Sequence, residues 1–440
     1  MLCGNYILSN RSEWTFYFLS SVQFNFTIGV NLKFIILILI KEDCMQIERQ
    51  RTYKDAHIQW EKVVKELNLT YEHQSWFSKN LDLSISACRL YDSLSHDFKS
   101  IGMGKGTALE PILGAEFESL EHYFYGTQEH NSKKLYIADI RNQSSVLYSD
   151  PAFDELYRKE HNIKLYVDRF KNYVTKEDFF YPAFLNDVEF VDPSISLGSH
   201  AYNYSSDSGF ASGATFKEAF LHSLNELIER DTVSKFILKY GMNFNIDELS
   251  ASLVELKSLP KRLVDIFLAI KDTTKSNIEL VYIKNKFNIP TFLTIINYKG
   301  KMLLPIYGAG TSLSPAYAME RALTEAFQLF CVKEYKDSID LSRKLSYMVT
   351  KVPKLKELIN FSYITKLKNK SFIDTEDKYS SVDYLLEKEI NLLRKDNIDI
   401  YYRHVIDMSG FYFMQTLIPA FERFNMILEG QIVLPRSDQD

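Results

Sequence analysis

Ser208-Gly209-Phe210-Ala211-Ser212-Gly213-Ala214-Thr215 runs into Phe216-Lys217-Glu218, then His222, then Glu226-Leu227-Ile228-Glu229-Arg230, and this stretch decides how the chain is read. A turn of small residues ends in a threonine, and a helix-like run follows. Counted from Glu218, the acids stand at positions 0, 8 and 11, within one narrow arc at about 3.6 residues per turn. The device recurs. Gly104-Lys105-Gly106-Thr107 precedes Glu110, Glu118 and Glu121 at the same spacing. Gly308-Ala309-Gly310-Thr311 precedes Glu325, which, like Glu121 and Glu229, falls fourteen residues after its threonine.

Like charges one helical turn apart repel, and two such helices brought together repel further unless a cation sits between them. Magnesium suits the setting, because it takes one or two carboxylates together with phosphate oxygens. The glycine turns are expected to offer helix N-termini to those phosphates, with Lys105 adding a full charge. The plainer reading is three amphipathic helices with solvated acidic faces and threonine N-caps. Three copies in one register, with Arg230 and Arg321 beside the acids, favour a nucleotide–magnesium site.

With 440 residues, 46% of them hydrophobic and 25% charged, the chain has ample material for a core. A net charge of -5 and no Lys/Arg run leave no electrostatic footprint for DNA or RNA. Cys3, Cys44, Cys88 and Cys331 are scattered, with no CxxC pair and no histidine at metal-ligand spacing, which points to a reducing cytoplasm and no structural zinc. Residues 1–44 read differently from the rest. The apolar run Phe34 to Ile40 is too short for a membrane span, and no clear signal peptide precedes it, so translation from Met45 is expected. The expected division is a doubtful extension at 1–44, a helix-and-strand segment at 45–99 and one main domain at 100–430.

Helical periodicity covers Gln46 to Leu69, Glu110 to Tyr125, Phe216 to Tyr240, Pro315 to Tyr335 and much of 336–397, with a mobile segment near Asp374 to Ser381. Strand-like runs are Leu81 to Tyr91, Lys134 to Ile140, Lys164 to Val167, Ile278 to Ile283, Pro290 to Tyr298, Met302 to Ala309 and Tyr412 to Ile418. The order predicts an α+β fold, a mixed β-sheet with packed helices.

Ser208 through Glu218 to Glu226-Leu227-Ile228-Glu229-Arg230 resembles the signature of YcaO-domain proteins. Glu320-Arg321-Ala322-Leu323-Thr324-Glu325-Ala326-Phe327-Gln328 resembles that family's third motif, and Gly104-Lys105-Gly106 with Glu118 and Glu121 its first. The likeness covers roughly residues 100 to 425. It implies an ATP-binding fold in which Glu118, Glu121, Glu218, Glu226 and Glu229 hold Mg2+. Arg230 and Arg321 would face phosphate oxygens, Glu325 and Gln328 would lie near the nucleotide, and Lys105, Ser208, Gly209 and Gly213 would complete the cradle. His122 stands where the family has an arginine, and Ser208 and Ala214 where it has asparagines.

The implied chemistry is ATP-driven activation of a peptide backbone amide, giving an azoline, a thioamide or an amidine in a ribosomally made precursor peptide. The chain ends Leu434-Pro435-Arg436-Ser437-Asp438-Gln439-Asp440 rather than in the proline-rich tail of many azoline-forming members, which weakens the azoline option. It also lacks the zinc-binding cysteines of the domain that captures precursor peptides. A separate partner protein is therefore expected to deliver the substrate, and a homodimer is compatible with the reading. The sequence admits two rival readings. A P-loop fails, because Lys99 stands where its first glycine belongs and Gly106 where Ser or Thr should follow the lysine. A non-catalytic peptide- or nucleotide-binding component of a modification complex stays open.

Overall fold

Thr52 Oγ1 accepts a hydrogen bond from Asp55 N at 3.2 Å and so caps α1 (Tyr53–Glu66). The computed structural model describes residues 47–77, 83–128, 130, 133–159, 161–300, 303–372 and 381–437. The expected extension at 1–44 lies outside the described residues, as does the expected mobile segment apart from Ser381. Helix α1 starts later than the charge pattern predicts, because Thr52 with Asp55 makes a cap that Gln46 lacks. Residues 47–51 run ahead of it as an irregular strap.

Strands β1 (Leu69–Phe77), β2 (Leu83–Asp92) and β3 (Phe98–Thr107) follow, and β3 leads into α2 (Glu110–Tyr125). Next come β4 (Lys134–Tyr136), α3 (Ile137–Arg141), α4 (Pro151–Lys159), β5 (Lys164–Asn172), β6 (Asp178–Pro182) and α5 (Ala183–Asn186). The run expected to be one strand from Lys134 to Ile140 breaks after Tyr136. Ile137 and Ile140, one helical turn apart, are both fully buried. Strand β7 (Phe210–Gly213) enters α6 (Phe216–Phe236), followed by β8 (Ser250–Val254), α7 (Lys261–Thr274), β9 (Asn277–Lys284) and β10 (Thr291–Asn297). Strand β11 (Tyr307–Thr311) enters α8 (Pro315–Cys331), and α9 (Lys336–Lys351), α10 (Leu355–Ile359), β12 (Asn369–Lys370), α11 (Val382–Lys395), β13 (Tyr401–Met408) and β14 (Phe411–Leu417) complete the fold.

The α+β class is as expected, and among the described residues the strands sort into three sheets: β1-β2-β3, β11-β10-β9-β8-β12, and β4-β5-β13-β14-β7 with β6 paired to β5. Pairing is antiparallel except between β12 and β8. Each sheet ends in one of the small-residue segments, β3, β7 or β11, and each of these edge strands is covered by the helix it enters. Strand β3 runs through the expected boundary at 99/100, so the 45–99 segment shares a sheet with the first motif.

Most of the glycines expected to form turns are strand residues. A Cβ on Gly104 would fall 1.7 Å from Pro111 O, and one on Gly310 would fall 2.0 Å from Ala318 O. Their absence of a side chain lets α2 and α8 lie directly on β3 and β11. Of the three motif threonines only Thr215 caps its helix, since Leu109 and Ser314 take that place in α2 and α8.

Candidate active site

The three strand–helix units close into a ring. Helix α2 packs on its own β3 and also on β7, α6 on β7 and β11, and α8 on β11 and β3. Named bonds seal two of the joins. Glu121 Oε2 accepts from Ser212 N at 2.8 Å, which ties α2 to β7. Lys105 of β3 makes an ion pair with Glu325 of α8, and Gln328 Nε2 donates to Met103 O at 3.1 Å. Two of the three glutamates that follow a motif threonine by fourteen residues thus bind the strand of the neighbouring unit. The third, Glu229, has neither a hydrogen bond nor an ion pair among the described residues.

Closing the ring brings the acidic stripes together. Glu118, Glu121, Glu226, Glu229 and Glu325 are half-buried on helices whose other inner positions are fully buried. Side-chain exposures of 22% for Glu226 and 24% for Glu325 leave the group accessible to a small ligand. Burial pushes the Glu229 carboxyl up to about 8, with Glu325 adding to the rise and Arg321 and Lys105 opposing it. Glu226 is pushed up to about 7, by burial first and then by Asp207 and Glu325, against Arg230. Glu121 is raised well above the usual carboxylate range by burial and by Glu118 and Glu226. Glu118 is raised by burial and Glu325, with His122 and Lys105 offsetting part of it. Crowded carboxylates of this kind are the physical signature of missing positive charge, so the donor set fits a hard divalent cation. Among the described residues no three His, Cys, Asp or Glu side chains are drawn together as a ready-made metal cluster.

Arg230 is the cation paired with Glu226 on α6. Its Nε donates to Glu226 at 2.8 Å and its Nη1 lies 3.4 Å from Glu429. The Arg321 guanidinium has no hydrogen bond or ion pair among the described residues, yet it feels Glu229, Glu48 and Glu325. Glu218 is placed apart from the cluster in its bonding. One oxygen accepts from Ala214 N at 3.0 Å, and the other accepts from Gln50 N and from Arg51 N at 3.2 Å. Gly209 has φ +86°, and a Cβ there would lie 2.2 Å from Thr416 O; a Cβ on Gly213 would lie 2.6 Å from Ala219 N. Backbone packing alone requires both glycines. Ser208 bonds Ser206 through their hydroxyls at 2.5 Å. Beyond Ser208 and Arg230 opens a cleft with about 570 Å³ of empty space, part of it open solvent, whose walls include Leu185, Leu227, Phe421 and Met426.

Residues 103–422, well over half of the chain, match the profile of the YcaO cyclodehydratases, described as ATP- and Mg2+-binding. The chain belongs to the YcaO family. Among solved YcaO-type structures, that of YcaO from Methanopyrus kandleri bound with AMPPCP and Mg2+ is similar over 91% of this chain and 99% of that one, at 14% identity and a TM-score of 0.61. A heterocyclase in complex with substrate and cofactor is similar over 89% of this chain and 57% of that one, at 16% identity and a TM-score of 0.63. The E. coli microcin synthetase McbBCD complex with pro-MccB17 bound is similar over 80% and 88%, at 17% identity and 0.56. At these identities the likeness is one of fold. A curated relative, an uncharacterised protein of Methanothermobacter thermautotrophicus, is 26% identical over 239 residues; the match spans half of this chain and 57% of that relative.

Sequence reasoning missed the strap. Glu48 is buried, accepting from Ser312 Oγ at 2.5 Å and from Asn225 Nδ2 at 3.3 Å. Gln50 Oε1 accepts from Thr215 Oγ1 at 2.5 Å, and Gln50 Nε2 donates to Asp383 at 2.6 Å. The one local signal was the Thr52–Asp55 cap, which marks the preceding residues as non-helical. Glu116 and Glu320 are both buried and paired, with His57 and His73 and with Arg262 respectively. Among the described residues no helix is long and apolar enough to cross a membrane.

Proposed function

We propose that this YcaO chain is an enzyme that uses ATP and Mg2+ to phosphorylate the oxygen of a peptide backbone amide, turning it into a leaving group. The observation that carries the reading is the ring of crowded carboxylates, Glu118, Glu121, Glu226 and Glu229, faced by Arg321 and Arg230. Those four glutamates would hold the metal. Glu218, named with them from the resemblance, bonds three backbone N–H groups, and we give it a positioning role toward the strap. Bound Mg·ATP supplies the γ-phosphate and neutralises charge as the amide oxygen is captured. The chain's own part is to align and to stabilise. Arg321 has donors to spare for a phosphate, Arg230 is held by Glu226 and Glu429 at the mouth of the cleft, and no side chain is required as a nucleophile.

The substrate is a ribosomally made precursor peptide, approaching through the cleft beside Arg230 and delivered in the cytoplasm by a separate partner protein. The product is an azoline, a thioamide or an amidine according to the nucleophile. A non-catalytic binding component is the second reading, favoured by His122, which spends its Nδ1 on Ile101 O at 2.6 Å where the family has an arginine.

The test is nucleotide binding and Mg2+-dependent ATP hydrolysis by wild type, Glu226→Gln and Glu229→Gln. Turnover in wild type that is lost in both variants supports the enzyme. Binding without turnover, with a delivery partner and peptide present, supports the second reading. No binding at all sinks both.

A further inference from the structure

Arg343 to Lys370 carries eight Lys or Arg against Glu357 alone, in a chain whose net charge is -5. The segment spans the second half of α9, α10, the 3-10 helix Ser362–Lys366 and β12. Its apolar side chains face inward, since Leu345, Met348, Leu358, Ile359, Phe361 and Ile364 all belong to the main core cluster. Its basic side chains are all exposed. Among the described residues Lys344, Lys354, Lys356, Lys366 and Lys368 have no side-chain hydrogen bond and no ion pair. Asp340 is taken by Arg343 at 2.7 Å, and Glu429 by Arg230.

A solvated lysine face is the plainer account, and Lys351 at the end of α9 suits the helix dipole. Its position argues for more. Helix α9 packs along Phe424–Glu429, the segment that gives Asn425 and Met426 to the wall of the cleft. A Cβ on Gly430 would lie 3.2 Å from Lys344 Cδ, so the stem of Lys344 rests on the turn just after Glu429, the partner of Arg230 at the cleft mouth. The basic surface therefore begins where the cleft opens. Arg343, Tyr347 and Lys351 then follow on one face of α9 at helical spacing. Tyr347 is 64% exposed, with the Lys351 ammonium 5.5 Å from its ring centroid, which sets an aromatic of the kind that anchors interfaces among the cations. From Arg343 to Lys351 is about 12 Å of helix, the reach of about four extended peptide residues.

We propose that the surface from Lys344 to Lys368 docks an acidic stretch of the substrate peptide, outside the part held in the cleft. The proposal rests on the peptide-substrate reading and goes beyond it by giving the remote part of that peptide a place and a charge. Carboxylates supply the missing counter-charge, and a peptide held on α9 enters the neighbouring cleft at a raised effective concentration. A single-stranded nucleic acid is the poorer fit, because it calls for several stacking rings and Tyr347 is the one exposed aromatic between Arg343 and Lys370.

The experiment is fluorescence anisotropy on the full chain with fluorescein-labelled oligoglutamate, and with oligouridylate of the same length as the rival polyanion. Wild type is compared with Lys344→Gln/Lys351→Gln/Lys354→Gln and with a control of equal charge loss elsewhere, Lys271→Gln/Lys275→Gln/Lys284→Gln. Matched melting curves verify folding, and Mg·AMPPCP is titrated into each protein in parallel. Oligoglutamate should bind wild type at low salt, weaken as salt is added, and bind about tenfold more weakly to the first triple variant but within about twofold to the control. It should also slow hydrogen exchange across residues 343–370. Equal loss in both triple variants, or none in the first, overturns the docking surface. Oligouridylate binding as tightly as oligoglutamate, with the same dependence on the first triple, makes this a nucleic-acid surface and overturns the peptide assignment. If Mg·AMPPCP binds wild type and oligoglutamate does not, the docking surface falls while the nucleotide reading stands. If oligoglutamate binds through these lysines and Mg·AMPPCP does not bind, the acidic-peptide surface stands and the nucleotide reading falls.

Discussion

Lys105 of β3 and Glu325 of α8 form an ion pair across the ring, 220 residues apart in sequence. It neutralises one of the acids that press on Glu229 and locks the third unit to the first. Lys105→Met leaves Glu325 unpaired in a half-buried place and should cost about 1–2 kcal/mol of stability. The double variant Lys105→Met/Glu325→Gln should recover most of that loss. Urea denaturation of the four proteins measures the coupling, and simple additivity would mean the pair contributes nothing.

Glu229 sits among other acids without a bonded partner, so replacing it removes repulsion. Glu229→Gln should melt at a temperature equal to or above that of wild type in ligand-free buffer. It should also lose the rise in melting temperature that Mg2+ with AMPPCP gives wild type. Differential scanning fluorimetry reads both. A variant that melts lower yet keeps the ligand-dependent rise would show that Glu229 is a packing residue.

Gly104 and Gly310 should be intolerant of even one methyl group. Gly104→Ala places Cβ against Pro111 O and Gly310→Ala against Ala318 O, so each should cost about 2–4 kcal/mol through displacement of α2 or α8. Gly198→Ala, whose nearest neighbour would be Ser196 Oγ at 4.0 Å, is the control and should be close to neutral. Equal midpoints in urea for Gly104→Ala and Gly198→Ala would refute the close-packing explanation.

His130 is clamped between two carboxylates, with Nε2 2.8 Å from Asp187 and Nδ1 3.2 Å from Asp168. Burial alone would lower its pKa, but the bonds to Asp168 and Asp187 outweigh it and raise the ring to about 9 from an ordinary 6.5. A raised folded value means the stabilisation is complete below about pH 6.5 and is lost as pH climbs through about 9. The loss should be about 2 kcal/mol across that window. His130→Gln should be less stable at the acid end and show a flatter profile. The same decline in wild type and variant would assign the pH dependence elsewhere.

The bounds of α2 were legible from charge and apolar spacing alone, and so were most of α6 and the start of α8. The recurrence of the three units was equally plain, because helical periodicity is written within each segment. The glycines were visible but their role was not. Nothing local distinguishes a glycine that cradles an anion from Gly104, which lies under α2 because a helix backbone comes within touching distance. The break at Ile137 and the non-helical strap were missed for a related reason, since short segments take their form from what they pack against.

By itself the sequence determined that three acid-striped helices exist and which residues carry the charge. Tertiary structure decided how those residues are used. Glu218 and Glu229 hold equivalent-looking places on one helical stripe, yet one carboxylate bonds the backbone of the strap 168 residues away and the other is left unpaired at the ring. A carboxylate's role follows from which donors reach it, and those donors come from remote parts of the chain. Their arrival depends on the closure of the ring, which the pattern within one segment cannot encode.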